Sequence, residues 1–74
     1  MKFFIGQNVK RNSYTDCFGV FHSEKFLVVE RCYPVQGNPG HVRVKAINPN
    51  NPWQYEDANQ DYFTALTIQN QEVA

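Results

Sequence analysis

The clearest pattern in the chain is a period of two. From Phe26 to Tyr33, apolar and polar positions alternate as Phe26, Val28, Glu30, Cys32 against Leu27, Val29, Arg31, Tyr33. From Val42 to Ile47 they alternate as Val42, Val44, Ala46 against Arg43, Lys45, Ile47. Side chains on a strand point to opposite faces in turn, so both runs read as strands. Their β-branched and aromatic content agrees. Between them, Pro34 to Gly40 carries prolines and glycines, the composition of a connecting loop, and the whole of 26–48 predicts a hairpin. The second run sets Val42, Val44 and Ala46 inward and Arg43 and Lys45 outward. Carried across the hairpin, that parity turns even-numbered residues inward, Phe26 and Val28 among them, with Glu30 and Cys32 drifting toward one end. Leu27, Val29 and Ile47 are then left on the outside.

The rest of the chain reads as short strands around this hairpin. Gly6-Gln-Asn-Val9 predicts a turn leading into a first strand with Val9 inward. Residues 12–24 form a long excursion, polar at first and then apolar at Cys17-Phe18-Gly-Val-Phe21, of the sort that often carries recognition. Asn48-Pro-Asn-Asn-Pro52 predicts a tight turn and Trp53 to Glu56 a returning strand. Asp57 and Gln60 have the spacing of a helix start, predicting one helical turn to Phe63 with Asp57 as its cap. A closing strand over Ala65 to Gln69 follows, and the residues from Asn70 to Ala74 are expected to fray.

Gly6-Gln-Asn-Val9, Phe26-Leu-Val28, Val42-Arg-Val44, Trp53 and Phe63-Thr-Ala-Leu66 together resemble the small SH3-like barrel proteins of phage and bacterial type. The likeness spans about residues 4–69 and implies an all-β, five-stranded SH3-like barrel with one short helical turn before the last strand. It also implies a phage-type accessory or regulatory protein. The paired tryptophans and Ala-Leu-Tyr-Asp-Tyr opening of signalling SH3 domains are missing, as is the glycine of a KOW loop after Lys10-Arg11. No family binding residue therefore carries over by position.

Seventy-four residues predict a single domain over 1–74. A chain of this size buries only about 60% of its unfolded surface, and eleven aromatic residues help to fill so small a core. The formal net charge is zero, which removes the simplest argument for nucleic acid. Its distribution is uneven: all seven basic residues precede position 46, while residues 46–74 hold four acids and no base. Whether the halves face apart or interleave and cancel decides how the surface looks to a partner. No secretory leader or membrane-spanning run is expected. Two lone cysteines, Cys17 and Cys32, suit a reduced, cytoplasmic chain.

Three groups of residues have the atom types of a catalytic or metal site, and each has a plainer structural role. Cys17, His22, Cys32 and His41 are the right atom types for zinc, but only the first pair approaches knuckle spacing, so no metal is expected. A Cys–His nucleophile needs an adjacency the sequence does not supply, and cysteine as a core filler is commoner. Glu56, Asp57 and Asp61 read better as a cap and cross-strand partners, with Glu56 set opposite Lys45, than as an acid–base pair. The expectation is a non-enzyme without cofactor. Two surfaces remain. Phe18, Phe21, Leu27, Val29 and Ile47 compose an apolar face for a protein partner or a second copy of the chain. Alternatively, Arg31, Tyr33, Arg43 and Lys45, with Lys10 and Arg11 on phosphates, compose a nucleic-acid platform.

Overall fold

The computed structural model describes residues 2–66. Its strands are β1 (Asn8–Arg11), β2 (Tyr14–Thr15), β3 (Phe21–His22), β4 (Lys25–Val35), β5 (Asn38–Asn48), β6 (Asn51–Asn59) and β7 (Phe63–Ala65). A 3₁₀ turn, Gln60–Tyr62, precedes β7. The class is all-β. Five strands form one antiparallel sheet in the order β6-β5-β4-β1-β7, and β2 and β3 make a separate two-stranded hairpin. The expected closing strand is seen at its start. Its continuation, and the tail at 70–74, lie outside the described residues.

The central hairpin is longer and its turn tighter than the Pro34–Gly40 segment predicts. β4 and β5 meet at Gln36–Gly37, where Gly37 takes φ +83°, a left-handed conformation that costs glycine little. Val35 pairs with Asn38 and Pro34 with Val42, so Pro39, Gly40 and His41 have no counterpart on β4. That unmatched stretch is where a proline is tolerated in a sheet.

A second irregularity overturns the predicted parity. Val29 pairs with Ala46 and Arg31 with Lys45, so Glu30 is an extra residue, a β-bulge. Past the bulge Cys32 packs against the core, as alternation from β5 requires. Before it the faces are reversed. Leu27 and Val29 are buried, Val29 with only 1% of its surface accessible, whereas Phe26 is 44% exposed and Val28 sits half-buried on the outer face. Glu30 itself is exposed.

The core is Phe3, Val9, Leu27, Val29, Val44, Ala46 and Phe63, extended by Cys32, Ala58 and Ala65. Each full burial of a Val, Leu or Phe contributes roughly 1.5–3 kcal/mol. Phe3 meets Phe63 edge-on at 6.4 Å between ring centres. The chain enters β1 through Gly6, whose N–H donates to Val29 O at 2.8 Å while Val29 N–H donates to Gln7 O at 2.9 Å. At the far end Leu66 N–H donates to Asn8 O, extending the β7–β1 contact.

The 3₁₀ turn is capped by Asn59, whose Oδ1 accepts from Asp61 N–H at 2.9 Å. Asp57 was the predicted cap, but β6 runs on to Asn59 and Asp57 serves that strand. The β5–β6 register differs by one from the expectation: Asp57 lies opposite Lys45 and Tyr55 opposite Ile47.

Candidate interaction surface

Residues 12–24 fold on themselves as the β2–β3 hairpin, and a relay of contacts fixes its shape. Asp16 Oδ1 accepts from the N–H groups of Phe18 (2.9 Å) and Val20 (3.0 Å). His22 Nε2 donates to Asp16 Oδ2 at 2.8 Å. His22, then the amides of Val20 and Phe18, hold the Asp16 carboxyl below its ordinary value. The His22 ring stacks on Tyr14, 4.6 Å away and 8° from parallel. Tyr14 in turn covers the Arg11 guanidinium at 4.2 Å. Asp16 thus satisfies the turn backbone, and the apolar side chains at the tip stay in water. Phe18 is 88% exposed, and Val20 and Phe21 are exposed beside it.

Arg11 is the inner end of that relay. Predicted on phosphates, it is instead buried, with 7% of its surface accessible. Its guanidinium also faces Tyr62 at 5.0 Å, its Nη1 donates to Asn12 O at 3.0 Å, and its Nε stands 3.6 Å from Glu56 Oε1. That Nε has no hydrogen-bond partner. Lys25 Nζ reaches the other oxygen of Glu56 at 2.9 Å. Two cations therefore share one carboxylate on the face of the sheet that carries the core.

On the opposite, outer face Arg31, Tyr33, Arg43 and Lys45 do come together, and one acid of the C-terminal half, Asp57, meets them. Tyr33 Oη donates to Asp57 at 2.7 Å. Arg43 Nε donates to Asp57 Oδ1 at 3.1 Å and its Nη2 to Asp57 O at 2.7 Å. Hydrogen bonding to Tyr33 and to Asp57 raises the Arg43 pKa further. Lys45 lies 3.6 Å from Glu30 and 4.8 Å over the Tyr55 ring, and Arg31 sits 4.6 Å over Tyr33. Lys10 is 3.3 Å from Glu24. The early bases and late acids interleave.

The five residues predicted for a protein face do not form one. Phe18 and Phe21 are exposed on the hairpin, Leu27 and Val29 are interior, and Ile47 is half-buried on the outer face between Val28 and Tyr55. The sequence reading missed the aromatics that take their place. Asn48 pairs with Asn51 and Ile47 with Tyr55, so Pro52, Trp53 and Gln54 bulge out of β6, and Trp53 is 91% exposed. Trp53 and Tyr55 face Phe26 and Lys25 across a groove of about 540 Å³, whose floor includes Leu27 and Asn48. Two prolines bracketing the turn just before a tryptophan were the available signal. Arg11 pairs with Lys25, so the hairpin that follows Arg11 and the groove beside Lys25 leave the sheet at the same end.

The cysteines and histidines stay apart in role. Cys17 is exposed near the hairpin tip. Cys32 donates weakly to Phe3 O at 3.6 Å, and burial pushes its thiol pKa up. Among the described residues no group of three or more His, Cys, Asp or Glu side chains is placed to hold a metal ion. Set against protein-family models, curated proteins and solved structures, the chain matches none, so its own geometry must carry the functional argument.

Proposed function

We propose that this chain is a non-catalytic interaction module that binds another protein through the apolar hairpin tip, on an SH3-like barrel scaffold. The scaffold reading is supported by the order of strands and 3₁₀ turn, and by Arg11 of β1 reaching Glu56 of β6, strands that are not neighbours in the sheet. The observation that carries the function is the tip itself. Phe18, Val20 and Phe21 are held in water by a backbone that Asp16 has pinned, so little ordering entropy is left to lose on binding. Exposed contiguous apolar side chains on a rigid element are the usual mark of a protein contact. The non-catalytic reading rests on where the carboxylates are spent: Asp16, Glu56 and Asp57 hold turns and cations together. An exposed thiol at Cys17 suits a reducing, cytoplasmic setting.

A nucleic-acid role has one favourable observation, the Arg31 guanidinium over the Tyr33 ring, for which no carboxylate partner is found among the described residues. Arg43 and Lys45 on the same face are matched by Asp57 and Glu30, which supports that role less than the first.

The test is a double variant, Phe18→Ser with Val20→Ser, compared with wild type by chemical cross-linking in cells and by sedimentation velocity. The expected outcome is an unchanged fold by circular dichroism, with loss of a specific cross-linked species or of a self-associated form. Identical cross-linking and sedimentation for both proteins would discard the reading.

A further inference from the structure

We infer that the groove between Lys25–Leu27 and Trp53–Tyr55 takes an extended, carboxylate-bearing peptide segment of the partner protein as an added strand. The inference rests on the protein-binding reading above and assigns that partner a second contact.

Three observations converge on this occupant. The first is an unfilled sheet edge. Lys25, Phe26 and Leu27 pair with Arg11, Lys10 and Val9 of β1 on one side. On the other side the ladder to β5 begins only at Val28, because β5 turns away at Asn48. The opposite wall, Pro52–Gln54, has likewise left its ladder. Among the described residues no strand pairs with β4 along the line β5 would have followed, and there Phe26, whose backbone faces away from β1, has its N–H and C=O open to a peptide. Main-chain pairing of this kind gives affinity, and alternate side chains give specificity.

The second observation is the lining. Phe26, Trp53 and Tyr55 line the groove with apolar surface, and Asn48 Nδ2 donates to Gln54 Oε1 at 3.0 Å, leaving the Gln54 amide N–H groups to donate. The volume of about 540 Å³ falls within the range of formed ligand sites.

The third is charge. Arg11 and Lys25 share the single carboxylate of Glu56, leaving one positive charge in excess, and the Lys25 side chain is half-exposed at the groove. A ligand carboxylate would draw Lys25 outward. Glu56 would then be free to close on Arg11 Nε, the buried donor that now lacks a partner. Anionic oxygen is therefore favoured here, and the flanking rings and strand edge favour a peptide as its carrier.

The probe is a set of synthetic peptides of about ten residues with alternating apolar positions. Each has one central aspartate, or asparagine in the control series. A thymidine oligonucleotide serves as the competing class. The readouts are fluorescence of the single tryptophan, Trp53, and hydrogen exchange at the Phe26 amide, which faces away from β1. The expected result is a saturable Trp53 shift, slowed exchange at Phe26, and aspartate peptides binding roughly 2- to 5-fold more tightly than asparagine ones. Lys25→Gln should bring the aspartate peptides down to the affinity of the asparagine series. The inference is overturned if no peptide shifts Trp53, if aspartate and asparagine bind alike, if the Phe26 amide does not slow, or if only the oligonucleotide responds. Any of these can occur while the Phe18/Val20 variant still loses its partner, so the two readings fail separately.

Discussion

A carboxylate at position 29 would be buried without a counter-ion, since Val29 is fully interior and its neighbours Leu27, Val44 and Ala46 are apolar. Val29→Asp is expected to abolish the cooperative thermal transition, because stranding a charge costs several kcal/mol in a domain whose total stability is about 5–15 kcal/mol. Leu27→Ala should cost about 2–5 kcal/mol in denaturant unfolding, whereas Phe26→Ala should cost under about 1 kcal/mol. A folded Val29→Asp protein would show that the interior has been assigned wrongly. Inside and outside were legible at β5, where Val44 and Ala46 are buried as alternation requires. They were not legible at the start of β4, where Phe26, Leu27, Val28 and Val29 are all apolar and either parity fits. Glu30 and Cys32 appeared to decide the matter, and the bulge at Glu30 broke the link between them and what precedes.

Among the elements, the β2–β3 hairpin depends most on one side chain. Because the folded pKa of Asp16 lies below its ordinary 3.8, the bonds it makes are present above that value and are lost as pH falls through the lower, folded one. The Phe18 and Val20 amides should therefore keep their shifts and exchange protection from neutral pH down past 4 in a nuclear magnetic resonance titration, and lose them only in stronger acid. Asp16→Ala should remove that protection at every pH while leaving the main sheet intact. Early loss between pH 5 and 6 would mean that another group holds the turn. The sequence marked residues 12–24 as a place for recognition but gave no sign that they pair internally, since strands of two residues leave no period to read. The turn at 48–52 was likewise visible as a turn, while the unmatched Pro52–Gln54 that lifts Trp53 into water was not. A bulge depends on partner register, which one strand does not encode.

Over the whole molecule, charge separated along the chain becomes charge paired in space. Asp57 reaches Arg43, Glu56 reaches Arg11 and Lys25, and Asp61 reaches Lys2. These pairs are not equal. Lys45–Glu30 is largely solvated, and Glu30→Gln should change stability by no more than about 1 kcal/mol. Glu56→Gln strips the one carboxylate from a buried arginine and should cost about 2–3 kcal/mol by chemical denaturation, with little relief from added salt. Equal effects of the two substitutions would mean that Arg11 does not need Glu56. The composition revealed both the imbalance between halves and the neutral total. The antiparallel return of β6 along β5 is what brings Glu56 and Asp57 to the earlier bases Arg11, Lys25 and Arg43.

The extra residue in β4 also governs which changes in chain length the protein can absorb. Excising position 30 would restore plain alternation and leave Val29 opposite Ala46 and Arg31 opposite Lys45. Removing one residue between 26 and 28 would instead roll a core side chain out to solvent. Within the part of this hairpin that builds the interior, a one-residue deletion is therefore expected to be absorbed at position 30 and not before it.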